Sequence, residues 1–261
     1  MKTSRSSMFD PMCDSVLDSI YEAIVSVTGS SLIGLYLVGS LATGDFEPHV
    51  SDIDLIVVLQ EVPNERLVAR LGRMHAELAQ SRPDWGGRID VKYISAGGLL
   101  NCRHGTTSIA VISPGKPFHV VQAGRDWILD WYLARQIGVR LVGPPIDAVI
   151  PSIPSTEYIY EVHRYLLGFT DQLDDDVPSG SQAHAILSIC RGLYTIELGQ
   201  VVSKREAAEW AHQEFPQWAD LIDRALAWRR RQWDPDHRAA TATVPQTRAF
   251  VHSMLRTISA S

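Results

Sequence analysis

Two aspartates one residue apart, Asp52 and Asp54, stand at the mouth of the apolar run IDLIVVL (53–59). Successive side chains of a strand alternate faces, so residues i and i+2 project together. Two carboxylates held that close push one pKa upward unless a cation sits between them. Oxygen-only ligands select a hard cation, and Mg²⁺ is the usual one where phosphates complete its octahedron. Gly39-Ser40 closes the preceding apolar run, residues 32–38. Glycine there lets backbone N–H groups approach a phosphate, and the serine hydroxyl adds a donor. Ser51 joins Gly39 and Ser40 as a nucleotide-binding candidate. A two-metal site needs a further carboxylate, which can also receive the attacking hydroxyl's proton. Asp90, in RIDVKYIS (88–95), is the only carboxylate of the next predicted strand. Asp52, Asp54 and Asp90 are therefore the expected catalytic and metal-binding residues, holding two Mg²⁺ ions. A local alternative has Asp52 capping a turn and Asp54 meeting a neighbouring Lys or Arg.

The surrounding pattern supplies the elements that carry these side chains. Asp10-Pro11 makes a cap and first helical position, and Met12, Val16, Ile20, Ile24 and Val27 follow at helical spacing. After Pro63-Asn64, ERLVARLGRMHAELAQ places Leu67, Leu71, Met74 and Leu78 on one helix face. In RIDVKYIS, Ile89, Val91 and Tyr93 alternate with Arg88, Asp90 and Lys92, so Asp90 and Lys92 share a face. Residues 97–117 read as irregular and rich in Gly and Pro, FHVV as a short strand, and RLVGPPID (140–147) as ending in a turn. Residues 125–137 read as a helix. Its Trp127 and Trp131, and later Trp228, read as core. From Ser155 the character changes to helix-length segments at 155–171, 181–198, 203–214, 216–232 and 244–259. Ser203 and Glu206 form a capping box. The expected class is α+β: a mixed sheet with flanking helices over residues 1–150, then a helical bundle over 151–261.

Composition narrows the function classes. The 261 residues hold 45% apolar and 21% charged side chains, which are globular values. With 24 basic and 30 acidic residues the net charge is −6, which argues against a basic nucleic-acid-binding face. Three scattered cysteines (Cys13, Cys102, Cys190) form neither a disulfide framework nor a zinc signature. The N-terminus lacks an apolar signal region and no run reaches the length of a membrane span, so a cytoplasmic protein without membrane partners is expected. The acidic run Asp174-Asp175-Asp176, with Asp171, reads as a solvated linker.

Gly-Ser, eleven intervening residues, Asp-Ile-Asp and a carboxylate on a later strand resemble the polymerase-β-like nucleotidyltransferases. The segment HAILSICRGLYTIELGQVVSKREAAEWAHQEFP (184–216) resembles the helical domain of the adenylyltransferases that modify streptomycin and spectinomycin. Arg191, Tyr194, Gly199, Ser203-Lys204 and Ala207-Ala208-Glu209-Trp210-Ala211 carry that likeness, and LVGP (141–144) matches as well. The resemblance spans about residues 30–232 and is weak between 95 and 135. It implies an N-terminal nucleotidyltransferase domain that transfers AMP from ATP to a hydroxyl of an aminoglycoside-type acceptor; a monomer or weak dimer is expected. It further implies that Asp52 and Asp54 bind metal, that Arg191 and Lys204 bind the triphosphate, and that His184 and Asp90 contact the acceptor. A glutamate base of that family aligns with Asp90, one methylene shorter. A tryptophan and an aspartate that hold streptomycin fall near Ser108 and Ser181. The rival expectations are a transferase that adenylylates a protein, as in toxin–antitoxin pairs, and a nucleotide-binding module without turnover.

Overall fold

The computed structural model describes residues 11–48, 50–171, 177–229 and 241–260; Asp10 and the Asp174–Asp176 run lie outside them. The chain divides into two compact units. One comprises Met1–Ala42, Ser51–Trp127 and Ala134–Pro151, and the other Thr43–Val50, Ile128–Leu133 and Ser152–Ser261.

The first unit is built on six strands: β1 (Leu32–Val38), β2 (Ile53–Leu59), β3 (Ile89–Ser95), β4 (Thr107–Ser113), β5 (Lys116–Ala123) and β6 (Val139–Val142). Their order in the sheet is β5-β4-β3-β2-β1-β6. Only β2 and β3 run parallel, and that pairing requires a crossover. Helix α3 (Glu65–Ser81) supplies it, after α1 (Pro11–Thr28) and the short α2 (Gly39–Thr43). Asn64 caps α3 by accepting from Leu67 N at 2.9 Å, and the helix buries Leu71, Met74, His75 and Leu78. His75 Nε2 lies 2.7 Å from the Tyr93 hydroxyl, tying α3 to β3. Strand β2 is buried on both faces, which is why it reads as a continuous β-branched run; Asp54 is its one position that is not buried.

Residues 97–117 are not irregular. Helix α4 (Ala96–Asn101) opens where Ser95 Oγ accepts from Gly98 N at 3.0 Å, and β4 then buries Thr107, Ile109, Ala110 and Val111. Gly97 and Gly98 lie within α4 and Pro117 within β5, while Pro114-Gly115 makes the β4–β5 turn, with Gly115 at φ +74°. Strand β5 also runs longer than the FHVV segment. Helix α5 (Ile128–Ile137) follows a 3-10 turn at Arg125–Trp127.

The second unit is mostly helical: α6 (Ser155–Leu167), α7 (Ser179–Leu198), α8 (Lys204–Glu214), α9 (Ala219–Arg229) and α10 (Val244–Ala260). Helix α7 is its axis, buried from Ala185 through Cys190 and again at Gly192 and Leu193. A helix apolar on nearly every side must be surrounded, and α6, α8, α9 and α10 all pack on it. Its one deeply buried amide, Gln182, accepts from Thr243 at 2.9 Å and Thr247 at 2.8 Å and donates to the Val177 carbonyl. The predicted cap is present, with Glu206 N donating to Ser203 Oγ at 3.1 Å. Trp131 and Trp228 are buried, as the sequence suggested, whereas Trp127, in the 3-10 turn before α5, is only half-buried. Among the described residues no helix is long and apolar enough to cross a membrane.

Candidate active site

Strand register puts two of the three expected carboxylates, Asp54 and Asp90, side by side. On β2, Asp54 is opposite Val38 of β1 on one side and Asp90 of β3 on the other. Opposed residues of neighbouring strands project to the same face. Gly39 and Ser40 follow Val38 directly and open α2. Gly39 has φ +68°, and a Cβ at that position would overlap the Asp54 carboxylate. Glycine is thus required twice over, by a left-handed backbone and by the close approach of Asp54. The Gly-Ser step and the Asp-Ile-Asp step therefore form one local structure.

Asp52 lies just before β2 and, like Asp54 and Asp90, is neither buried nor fully exposed. Arg88, which the sequence reading left on the strand without a role, organises this end of the sheet. Its guanidinium donates to the buried Ser51 carbonyl, through Nε at 3.1 Å and also through Nη2. It stacks over the Trp85 ring at 4.3 Å. Its own carbonyl accepts from Ile53 N at 2.9 Å. Burial pulls the Arg88 pKa below its ordinary value, and the Asp52 carboxylate partly offsets that pull. Ser51 thus meets Arg88 through its backbone. Asp90 Oδ1 lies 3.0 Å from Lys92 Nζ, as the shared face predicts. Among the described residues no three His, Cys, Asp or Glu side chains form a group able to hold a metal ion. The oxygen-only pair Asp52 and Asp54 suits Mg²⁺ whose remaining ligands are phosphate oxygens and water.

In the second unit the predicted cations and histidine do come together. Lys204, at the start of α8, has its Nζ 3.4 Å from His184 Nδ1 on α7. On the other side of the ring, the Tyr165 hydroxyl is 3.4 Å from Nε2. The His184 pKa is held down to about 3, first by the Lys204 ammonium, then by burial and by Arg191. All three act in the same direction, the ammonium most strongly. Arg191 also pulls against the burial that raises the Tyr158 and Tyr165 hydroxyls. The result is a patch with excess positive charge and a neutral imidazole.

A second cluster in this unit escaped the sequence reading. Asp45 is buried and accepts from Arg205 Nε at 2.9 Å and Arg229 Nη1 at 3.0 Å. Arg205 also reaches Glu47 at 2.6 Å. The Asp45 hydrogen bond holds Arg205 above its ordinary pKa. The segment Thr43–Val50, which joins Gly39-Ser40 to Asp52 along the chain, is thus fastened to α8 and α9. These pairs span 160 and 184 positions of sequence, and no short-range signal announces them.

Ser108, on β4, accepts from Gln122 Nε2 at 2.7 Å, and Ser181 lies exposed on α7. Neither offers an aromatic face or a carboxylate.

Residues 22–94 match the nucleotidyltransferase domain family, and residues 148–257 match the C-terminal domain of the aminoglycoside adenylyltransferases. The chain is a nucleotidyltransferase of the aminoglycoside adenylyltransferase-like kind. Spectinomycin 9-adenylyltransferase of Staphylococcus aureus is 24% identical over 226 residues, covering 79% of this chain and 81% of that relative. An aminoglycoside (3'') (9) adenylyltransferase of Escherichia coli is 23% identical over 235 residues, covering 85% and 86%. The fold matches the crystal structure of spectinomycin adenyltransferase AAD(9) from Enterococcus faecialis with ATP and spectinomycin. That match has a TM-score of 0.74 at 17% identity and covers 93% of this nucleotidyltransferase and 99% of the other chain.

Proposed function

We propose that this nucleotidyltransferase transfers AMP from ATP to a hydroxyl of an aminoglycoside-type acceptor, with spectinomycin preferred to streptomycin. The observation that carries the reading is the register of Asp54 against Asp90, with Gly39 packed on the Asp54 carboxylate. The names and ligands of the matched proteins support ATP as donor and spectinomycin as acceptor. In the proposed reaction the acceptor oxygen attacks the α-phosphorus in line. The bond from that phosphorus to the bridging oxygen breaks, and pyrophosphate leaves. Asp90 accepts the hydroxyl proton. Asp52 and Asp54 are the proposed Mg²⁺ ligands, and Gly39, Ser40 and Ser51 line the phosphates. Bound Mg²⁺ would polarise the phosphoryl oxygens and offset charge on the departing pyrophosphate. Arg191 and Lys204 are the proposed contacts of the triphosphate. His184, kept neutral by Lys204, can accept or donate one hydrogen bond to the acceptor.

Streptomycin carries two guanidinium groups, which are best held by a carboxylate fork and an aromatic face. Ser181 and Ser108 provide neither. Loss of one charge-assisted contact leaves about 1.5–3 kcal/mol unsupplied, or about ten- to a hundredfold. The ratio of kcat/KM for spectinomycin over streptomycin, measured by pyrophosphate release, should therefore exceed about ten. Equal or better use of streptomycin would sink the preference, while pyrophosphate release with neither drug would sink the acceptor class.

A further inference from the structure

The third carboxylate already has a cation. Lys92 and Asp90 are two residues apart on β3, and their side chains are only 13% and 17% exposed. The contact of 3.0 Å is direct. An ion pair so withdrawn from water persists only if each charge answers the other, because removing one partner leaves a costly charge behind. The lysine brings a compact ammonium on a long flexible stem, and the aspartate is short. Together they keep the Asp90 carboxylate close to β3. Asp54 stands in register with Asp90 on the parallel neighbour, yet no three-carboxylate group able to hold a metal is found among the described residues.

We propose that in this chain the Lys92 ammonium takes the place that a second divalent ion would have at the third carboxylate. Asp52 and Asp54 then hold the metal without Asp90. Asp90, oriented by Lys92, is left to receive the acceptor's proton. Lys92 is a positioning residue in this scheme, since it acts on the reaction through Asp90. The inference rests on the adenylyltransferase reading and makes it more specific: three carboxylates, but one protein-held metal site.

Binding of Mn²⁺ alone to the full chain, followed by electron paramagnetic resonance without nucleotide, tests this apart from turnover. Asp52→Asn and Asp54→Asn should each weaken Mn²⁺ binding at least about tenfold, whereas Asp90→Asn should change it less than about twofold. Lys92→Met should tighten Mn²⁺ binding about tenfold or add a second ion, and that gain should vanish in Lys92→Met/Asp90→Asn. In steady-state kinetics Lys92→Met should lower kcat about tenfold or more with KM for ATP little changed, and Lys92→Arg should restore most of kcat. If Asp90→Asn weakens Mn²⁺ binding as much as Asp54→Asn does, Asp90 is a metal ligand and the inference is overturned. Unchanged Mn²⁺ binding in a folded Lys92→Met overturns it equally. Should Lys92→Met fail to fold, Asp90→Asn in the otherwise unaltered chain still decides. Indifference of Mn²⁺ to both Asp52→Asn and Asp54→Asn overturns the metal reading itself, and the inference with it.

Discussion

Asp45 and Asp54 belong to one short stretch of chain, yet their charges are met in different ways. Asp45 is buried in the helical unit and gripped by two guanidinium groups, one on each oxygen. Such an arrangement gives each oxygen a charge-assisted partner and ties the carboxylate into the fold. Asp54 is the unburied position of an otherwise buried strand, in register with a second aspartate and pressed against a glycine. The first arrangement fastens a loop. The second keeps oxygens within reach of an incoming ion. The buried charge is sealed by arginine, and the proposed metal-binding charge is only half-buried.

The contrast breaks most directly at Asp52 and Asp54. Replacement of either by Asn keeps shape, and although Asp52→Asn gives up the charge that offsets the burial of Arg88, folding should survive. The metal's share of transition-state stabilisation is several kcal/mol, so turnover should fall by about 10³-fold or more. Pyrophosphate release at saturating Mg²⁺, beside a melting curve, measures both sides. A near-normal rate in either variant would remove these residues from the metal site.

Asp45→Ala should do the reverse. Loss of the carboxylate strands Arg229, whose side chain is only 12% exposed, beside the more solvated Arg205. Breaking a buried pair by removing one partner typically costs about 3–5 kcal/mol. Chemical denaturation should show that loss, and the double variant Asp45→Ala/Arg229→Met should recover part of it. A stability loss under about 1 kcal/mol would mean that the cluster is only a surface pair.

Most of this arrangement was legible in the sequence because its signals are local. Both termini of β1 and β2 fall where the apolar runs end, and Asp90 and Lys92 share a face because strand period is two. Strand β4 is masked in the sequence although Thr107, Ile109 and Val111 alternate, because glycine and proline stand on either side of it. The Asp45 cluster was not legible in principle. Its partners lie far along the chain, and Arg205 looks like any other solvated residue of a first helical turn. Arg88 was hidden for a related reason: its role runs through backbone carbonyls, which carry no sequence signature.

Two histidines carry the contrast between burial and local charge into pH dependence. His184 is held neutral chiefly by the neighbouring Lys204 ammonium, an exposed effect that salt screens. His75 is 2% exposed, and burial alone pulls its pKa from 6.5 to about 4. Its Nε2 meets the Tyr93 hydroxyl, while Nδ1 has no hydrogen-bond partner, so a proton added there would be poorly solvated. The sign follows from which state binds the proton. Below pH 6.5 the unfolded chain protonates this histidine, whereas the folded chain does so only near pH 4. The unfolded state then binds more protons, so stability rises with pH across that window and is lost as pH falls through it. From the gap between the two values the loss should approach about 3 kcal/mol at pH 4. His75→Gln retains a partner for Tyr93 but cannot titrate, and should flatten the slope between pH 6.5 and 4 by about that amount. High salt should leave this slope nearly unchanged while moving the His184 resonance toward its ordinary titration range. An equally steep slope in His75→Gln would place the acid sensitivity elsewhere in the fold.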